Sequence, residues 1–425
     1  MRVLIIGHND FNKNSNMGKT LLSYFTDFSP EELAQFYIKN EFPSEDSVCR
    51  NYYRFTDKDA VRSINPLKKR GRVMKKSDFV SSDETRANNS GSLYQIVRQR
   101  TPFTYFARNT VWSMARWKTK EFVRWMDDFD PDVIFFMSGD YGFMYDVAVF
   151  AAEHLQKPVV AACVDDYYIY NKNASSLAGR MQHKRFMKHV NRLMEKTSCI
   201  LTISDTMRDA YTKLFHKPCF TLHTSVERKE PVLSPSASHV AYFGNLDFDR
   251  FKSLIEIGLA VKELRLPECP AVDVYSGETN PEYYKDLTEE NGVRFHGYVN
   301  NEEMAARRAE CVAVIHTESF DPIMRERVRF SVSTKIAESL MYGPCLIAYG
   351  PEDIASIEYL KENNAAFVIT RPEDLASGMR EILTNQALRE EIVANARRLA
   401  AKNHDTAMMS KKVRSWLQEA IDSSK

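Results

Sequence analysis

Short apolar runs separated by stretches of helical spacing recur along almost the whole of this 425-residue chain, and that alternation narrows what it can fold into. A run of four to six apolar residues suits one strand buried on both faces, and a helix in between lets the next strand pair with it in parallel. Repetition of the unit builds a parallel sheet with helices on both faces. Residues 3–7, 133–137, 158–163, 200–203 and 219–222 form one series of runs. Residues 239–244, 271–275, 293–295, 312–316, 346–348 and 367–369 form a second. Between the two, residues 230–238 read EPVLSPSAS, whose prolines and serines mark a linker.

The chain is therefore expected to be α/β, with two doubly wound, Rossmann-like domains at 1–230 and 239–404 joined by a linker at 231–238. Ligands of such sheets bind beyond the carboxyl ends of the strands, so a cleft between the domains is the expected active site. Residues 405–425 follow the last strand, carry apolar residues at helical spacing, and are expected to cross back to the first domain.

With 58 basic and 57 acidic residues the chain has no global field to attract nucleic acid. Its seven cysteines are scattered, none in a CxxC pair, which suits reduced core residues rather than a disulfide frame or zinc site. The chain starts on a strand without a basic leader, and nowhere do about 18 apolar residues run together. A cytoplasmic protein without a membrane span is expected.

Residues 14–20 read NSNMGKT, directly after the first apolar run. The ending GKT is that of a nucleoside-triphosphate P-loop, but that motif needs a glycine five residues before the second one, where this chain has Lys13. Lysine takes the positive φ of a phosphate-wrapping loop only at a cost. What remains is a polar loop in which Gly18 allows close backbone approach ahead of a helix at 20–25.

Residues 61–120 differ from their surroundings. They hold KKRGR at 68–72, Lys75 and Lys76, a polar stretch through Asn88, Asn89 and Ser90, and then TPFTYFARNTVWSMARWKTK. Cations mixed with Phe103, Tyr105, Phe106, Trp112 and Trp117 suit the surface of an anionic membrane. They suit equally a solvated insertion followed by an ordinary core helix.

In the second domain, Gly244 ends a strand, and Arg250 and Lys252 lie at the start of the next helix. Cations there oppose the helix dipole at about 0.3–1 kcal/mol each, a conflict that an anionic ligand would remove. Residues 312–349 read VAVIHTESFDPIMRERVRFSVSTKIAESLMYGPCLIAY. Ser333 or Thr334 can cap the helix that begins near Lys335. A capping box from Thr334 would need an acid at Ala337, so Glu338 is not committed to capping. Backbone N–H groups at 333–335 with the Lys335 ammonium suit a diphosphate. Glu338 can accept hydrogen bonds from ribose hydroxyls, and Glu318 and Asp321 from a sugar.

This stretch resembles the donor-binding signature of GT-B glycosyltransferases, particularly the family 4-like group. That signature runs E-S-F-G, four residues, then E-A-x-x-x-G-x-P-V-I. Here ESFD stands at 318–321 and ESLMYGPCLI at 338–347, in order but with twelve extra residues between. AYFGNLDFDRFKSL resembles the first strand and basic loop of that family's donor domain, and VRFHGYV, at 293–299, the strand and turn that meet the nucleobase. The resemblance covers nearly all of residues 239–370 and is only architectural before them. It implies two Rossmann-like domains facing across a cleft, and transfer of a hexose-type sugar from a nucleotide sugar to a glycan or lipid-linked acceptor. No cofactor or bound metal is implied, and peripheral contact with a membrane is compatible with it.

The implied donor-binding residues are Gly18, Gly244, Asn245, Arg250, Lys252, Tyr298, Glu318, Asp321, Ser333, Thr334, Lys335 and Glu338. Arg250 and Lys335 would stabilise the departing diphosphate. An inverting enzyme needs a base in the first domain, for which Asp165, Asp166 and Asp140 are candidates. A retaining one, as in the family 4-like group, needs none, and these aspartates would bind the acceptor. Two other readings share the fold. A nucleotide-sugar 2-epimerase would need one closed site with acid and base around a single ligand, and a non-catalytic glycan-binding protein would not need the Lys335 and Glu338 pair.

Overall fold

A computed structural model describes the chain apart from residues 14–15, 45–46, 66–69, 80–101, 172, 232–233, 235, 268 and 425. Its described residues form two sheets in two compact units, Met1–Leu222 with Thr406–Lys425, and His223–Asp405.

The first unit contains β1 (Val3–Ile6), β2 (Leu33–Tyr37), β3 (Asn51–Arg54), β4 (Arg72–Val73), β5 (Val133–Met137), β6 (Val159–Cys163), β7 (Thr197–Thr202) and β8 (Cys219–Thr221). Their order is β4-β3-β2-β1-β5-β6-β7-β8, parallel throughout except for the antiparallel edge pair β3–β4. The central strands β1, β5 and β6 are buried at every residue, which is why they read as apolar runs.

Three strands of this sheet lie where no apolar run announced one. In β2 the buried Gln35 breaks the run, and both ends of its amide are bonded: it donates to the Asn9 carbonyl at 2.9 Å and accepts from the Phe11 N–H at 3.3 Å. Near the edge, β3 is Asn-Tyr-Tyr-Arg and β4 only two residues long.

The helix Thr406–Asp422 belongs to this unit. Met409, Val413 and Leu417, four residues apart, are buried in one cluster with Val3, Ile5, Phe135 and Leu201. Burying each such side chain contributes about 1.5–3 kcal/mol. Polar contacts fix the helix in place: Ser410 Oγ donates to the Tyr24 carbonyl at 3.0 Å, and Arg414 makes a fork to both oxygens of Glu32 at 2.9 Å.

Two expectations for the first unit need correction. The helix after β1 is Asn16–Ser23, so Gly18 is buried inside it rather than opening a loop, while Asn14 and Ser15 lie outside the described residues. Of the basic and aromatic segment, Lys68, Lys69 and Asn88 to Ser90 also lie outside them. In the helix Pro102–Met114, Tyr105 and Trp112 are core residues, and Trp112 Nε1 donates to Asp57 at 2.8 Å, whereas Phe103 and Phe106 are 77% and 55% exposed. No described helix is long and apolar enough to cross a membrane.

The second unit contains β9 (His239–Phe243), β10 (Val272–Tyr275), β11 (Val293–Gly297), β12 (Cys311–Thr317), β13 (Cys345–Tyr349) and β14 (Phe367–Ile369), all parallel, in the order β11-β10-β9-β12-β13-β14. The chain starts in the middle, builds outward to one side, then returns to build the other. Its strand order reverses between β9 and β12, the position at which a doubly wound sheet opens a crevice beyond its strand ends.

Candidate active site at the switch point of the second sheet

Beyond β9 the chain has to turn sharply into the helix Arg250–Leu264. Gly244 donates its N–H to the Tyr275 carbonyl at 3.1 Å, and a Cβ there would fall 2.3 Å from the Tyr242 hydroxyl oxygen, so no side chain fits. The loop then passes through Phe248 and Asp249 at φ 62° and 59°. Both are left-handed, at a cost on the order of 1 kcal/mol each for residues other than glycine. Asp249 makes no side-chain cap for the helix it precedes and takes the Lys252 ammonium instead, at 2.8 Å. The first N–H groups of this helix thus have no side-chain cap.

Arg250 turns back over that helix start. Its Nε donates to Glu318 Oε2 at 3.0 Å, its Nη2 to Glu318 Oε1 at 2.8 Å and its Nη1 to Asn245 Oδ1 at 2.7 Å. These bonds use three of the five guanidinium N–H groups and fix the plane of the other two. Glu318 follows β12 directly and is only 2% exposed. Its N–H donates to the Tyr349 carbonyl at 3.0 Å, and its carbonyl accepts from Ser253 Oγ at 3.1 Å.

His316 Nε2 lies 3.7 Å from Glu318 Oε1 and 2.9 Å from Ser356 Oγ. Burial draws its pKa down to about 4, Glu318 opposing and Arg250 reinforcing. The imidazole is therefore neutral at pH 7, and Arg250 is the cation that balances Glu318.

The helix Thr334–Tyr342 follows the same strand pair. Of the two candidate caps the cap is Ser333, which accepts from the Lys335 N–H; Thr334 is the first helical residue. Lys335 is exposed to solvent, yet enough protein surrounds its ammonium for desolvation to lower its pKa. Glu338 opposes that lowering, and Arg250 and Arg308 add to it. Both arginines thus act on Lys335 as positive charge.

Glu338 is half-buried and accepts from Arg308 Nη2 at 3.0 Å. The Arg308 side chain is 10% exposed, with the rings of Phe243 and Tyr342 at 5.8 and 5.5 Å from its guanidinium carbon. A second arginine, Arg327, stands 4.6 Å from the Phe248 ring centre, the ring that Arg250 also covers at 5.1 Å. Sequence reasoning missed Arg308 and His316 and saw Arg327 only as part of a basic stretch with Arg325 and Arg329. Their only signal was charge near strand ends, which surface residues share.

Several expected roles change. Glu318 is not open to a sugar, since Arg250 engages both its oxygens, and Asp321 caps the helix Pro322–Val328 by accepting from the N–H groups of Ile323 and Met324. Lys252 is exposed and paired with Asp249, and Tyr298 is 72% exposed beyond β11. In the first unit, Asp166 accepts from the N–H groups of Tyr168, Ile169 and Tyr170 and from the Tyr211 hydroxyl, which makes it the cap of that loop. Asp165 is exposed and accepts from the Tyr167 hydroxyl at 3.0 Å, and Asp140 accepts from the Tyr105 hydroxyl.

Comparison with known proteins agrees with this architecture. Residues 259–414 match a family model described as glycosyl transferase-like. No protein of curated function matches the sequence. Among solved structures, Anabaena HepE in complex with UDP superposes with a TM-score of 0.62 at 14% identity, covering 99% of this chain and 100% of that one. A trehalose-6-phosphate structure from E. coli, bound with UDP-2-fluoro glucose, gives 0.61 at 9% identity over 99% of both chains. Sucrose-phosphate synthase from Thermosynechococcus elongatus gives 0.60 at 11% identity, again over 99% of both. These likenesses show the fold: the chain is built as the GT-B glycosyltransferases are, and a glycosyl transferase-like family model matches its residues 259–414.

Proposed function

We propose that the chain is a nucleotide-sugar-dependent glycosyltransferase that moves a hexose-type sugar to a glycan or lipid-linked acceptor. One observation carries the reading: Arg250 and Lys335, from the helices that follow β9 and β12, lie in one positive field at the switch point, with Arg250 already oriented by Glu318 and Asn245. Departure of a nucleoside diphosphate builds negative charge on its outer phosphate. Preoriented donors stabilise that charge without reorganising, which is where most of the rate gain in such a step arises.

In this account the two unused N–H groups of Arg250 and the Lys335 ammonium hold the diphosphate, next to the N–H groups of the uncapped helix Arg250–Leu264. Glu338 keeps Oε1 for the ribose hydroxyls while Arg308 holds Oε2. The backbone near Tyr298 faces the base. Transfer proceeds with retention and without a metal, as the family 4-like resemblance implies, and Asp165 in the first unit contacts the acceptor. Exposed Phe103 and Phe106 suit peripheral contact with a membrane.

Because structures of Anabaena HepE contain UDP, UDP with glucose, or UDP-glucose, the first donor to test is UDP-glucose. The test is release of UDP from it with and without glycan and lipid-linked acceptors. Acceptor-dependent release is the expected result. Release from none of a panel of nucleotide sugars, with any acceptor, would refute the reading.

A further inference from the structure

The second candidate site lies wholly within the first unit, at the edge of its sheet. A cavity of about 620 Å³ opens there between the strand pair β3–β4 and the helix starts at Asp57 and Lys120. Four arginines line it: Arg54, Arg62, Arg70 and Arg72. From the geometry of this cavity we infer that it is a phosphate-recognition pocket, distinct from the donor site and independent of that assignment.

In the antiparallel pair β3–β4, Arg54 stands directly opposite Arg72. Directly opposed residues share a face, with Cβ atoms about 4.5–5.5 Å apart, and like charges so placed repel. A two-residue edge strand does not need that repulsion in order to pair. The turn that sets it up is specific as well. Gly71 precedes β4 at φ 57°, and a Cβ there would meet the Phe55 ring at 2.7 Å and the Tyr53 hydroxyl at 2.8 Å. The close approach to those two rings is therefore open only to glycine, and it puts Arg70 and Arg72 on the rim together.

The acids nearby offset only part of the arginines' charge. Asp59 lines the cavity but is taken up by its own helix cap, accepting from the Thr56 N–H and hydroxyl at 2.9 and 2.8 Å. Glu121 lines it too and pairs with no arginine among the described residues; it sits in the first turn of the helix Lys120–Phe129, where the dipole favours it. Arg72 has one carboxylate, Asp78, at 2.9 Å outside the lining. Arg54 donates to the Glu41 carbonyl at 3.2 Å and stands 4.4 Å from the Phe42 ring centre, and Arg70 donates to the Ser63 carbonyl at 3.4 Å. Among the described residues, Arg54, Arg62 and Arg70 have no carboxylate partner.

Four guanidinium groups around one cavity, against two carboxylates, leave an excess of positive charge that suits a compact phosphate-bearing anion. Arginine's planar fork suits phosphate oxygens in pairs. A carboxylate offers its two oxygens to one fork, whereas the tetrahedral oxygens of a phosphate group can meet more than one, fewest on a phosphodiester and most on a diphosphate. Such a group occurs on an anionic phospholipid and on a free phosphorylated glycan, and Val61 and Ile64, exposed on either side of Arg62, are compatible with the first.

The test reads Arg62 and Arg70 directly. The full-length protein is modified with phenylglyoxal, and peptide mapping follows those two arginines with inorganic pyrophosphate, with phosphatidylglycerol vesicles, with phosphatidylcholine vesicles, or with no addition. At least fivefold slower modification with pyrophosphate alone supports a free phosphorylated ligand. Slowing with phosphatidylglycerol but not phosphatidylcholine supports a lipid, and co-sedimentation should then fall at least tenfold in Arg62→Ala/Arg70→Ala. Slowing by both supports the shared phosphate chemistry. The same protection in Lys335→Ala, whose lost cation lies in the other unit, separates this pocket from the donor site. Unslowed modification in every arm, with the double variant sedimenting like the wild type, would overturn the inference.

Discussion

Arg250 and Glu318 form a two-pronged ion pair at 2.8 and 3.0 Å across the switch point of the second sheet, one residue at the start of the helix after β9, the other directly beyond β12. Both are nearly buried, with 12% and 2% of their side chains exposed. The pair locks the loop after β9 to the end of β12 and at the same time aims the free edge of the guanidinium.

A buried pair of this kind punishes removal of one partner more than replacement of both, because the remaining charge is left uncompensated. Glu318→Ala and Arg250→Ala should each lower the unfolding free energy by about 3 kcal/mol or more, while Arg250→Ala/Glu318→Ala should cost less than the two single changes together. Urea denaturation of the four proteins measures this. Strict additivity would mean that the two residues act separately.

Asp10, beyond β1, is fully buried, and neither carboxylate oxygen has a hydrogen-bonding partner in another described residue. Burial chiefly, with Glu41 adding, pushes its pKa up to about 7. The folded state thus holds its proton more tightly than the unfolded chain, whose aspartates titrate near 3.9. The contribution of this group to stability is complete below about pH 4 and is lost as pH rises through about 7, by at most on the order of 4 kcal/mol. Asp10→Asn should stabilise the protein at pH 8 and leave it nearly unchanged at pH 4. An equal effect at both pH values would show that titration is not the cause.

Activity should survive chelation. In the proposed reading Arg250 and Lys335 meet the diphosphate charge, and stabilisation of that sort would need no metal ion. Turnover measured in EDTA should match the untreated enzyme. Complete loss in EDTA with recovery on adding manganese would assign that role to a metal.

How much was legible in the sequence depended on burial. The strands β1, β5, β6 and β13 appeared as apolar runs because strands covered on both faces have little room for polar residues. The same rule hid β2 to β4: Gln35 sits inside β2 with both ends of its amide satisfied, and the edge strands carry Arg54 and Arg72. At the candidate site, Arg250, Lys335, Glu318 and Glu338 stood out as charges next to strand ends and glycines. Their pairings did not, since Arg250 and Glu318 are 68 residues apart and Arg308 and Glu338 are 30 apart. Helix spacing reports only near neighbours, so Glu338 read as a free carboxylate when it is half-spent on Arg308.

That bond also decides which substitution tests the donor site cleanly. Glu338→Ala would strip the nearly buried Arg308 of its carboxylate, so lost affinity would be mixed with lost stability. Lys335 is exposed and ion-paired with no described residue, and its removal should leave the unfolding midpoint where it was. The decisive measurement is the affinity of Lys335→Ala for UDP-glucose by calorimetry, alongside its thermal midpoint without ligand. Loss of one charge-assisted contact to the diphosphate should weaken binding by ~1.5–3 kcal/mol, about ten- to a hundredfold, with the midpoint unchanged. Wild-type affinity in a folded Lys335→Ala protein would contradict the placement of the donor diphosphate at this switch point.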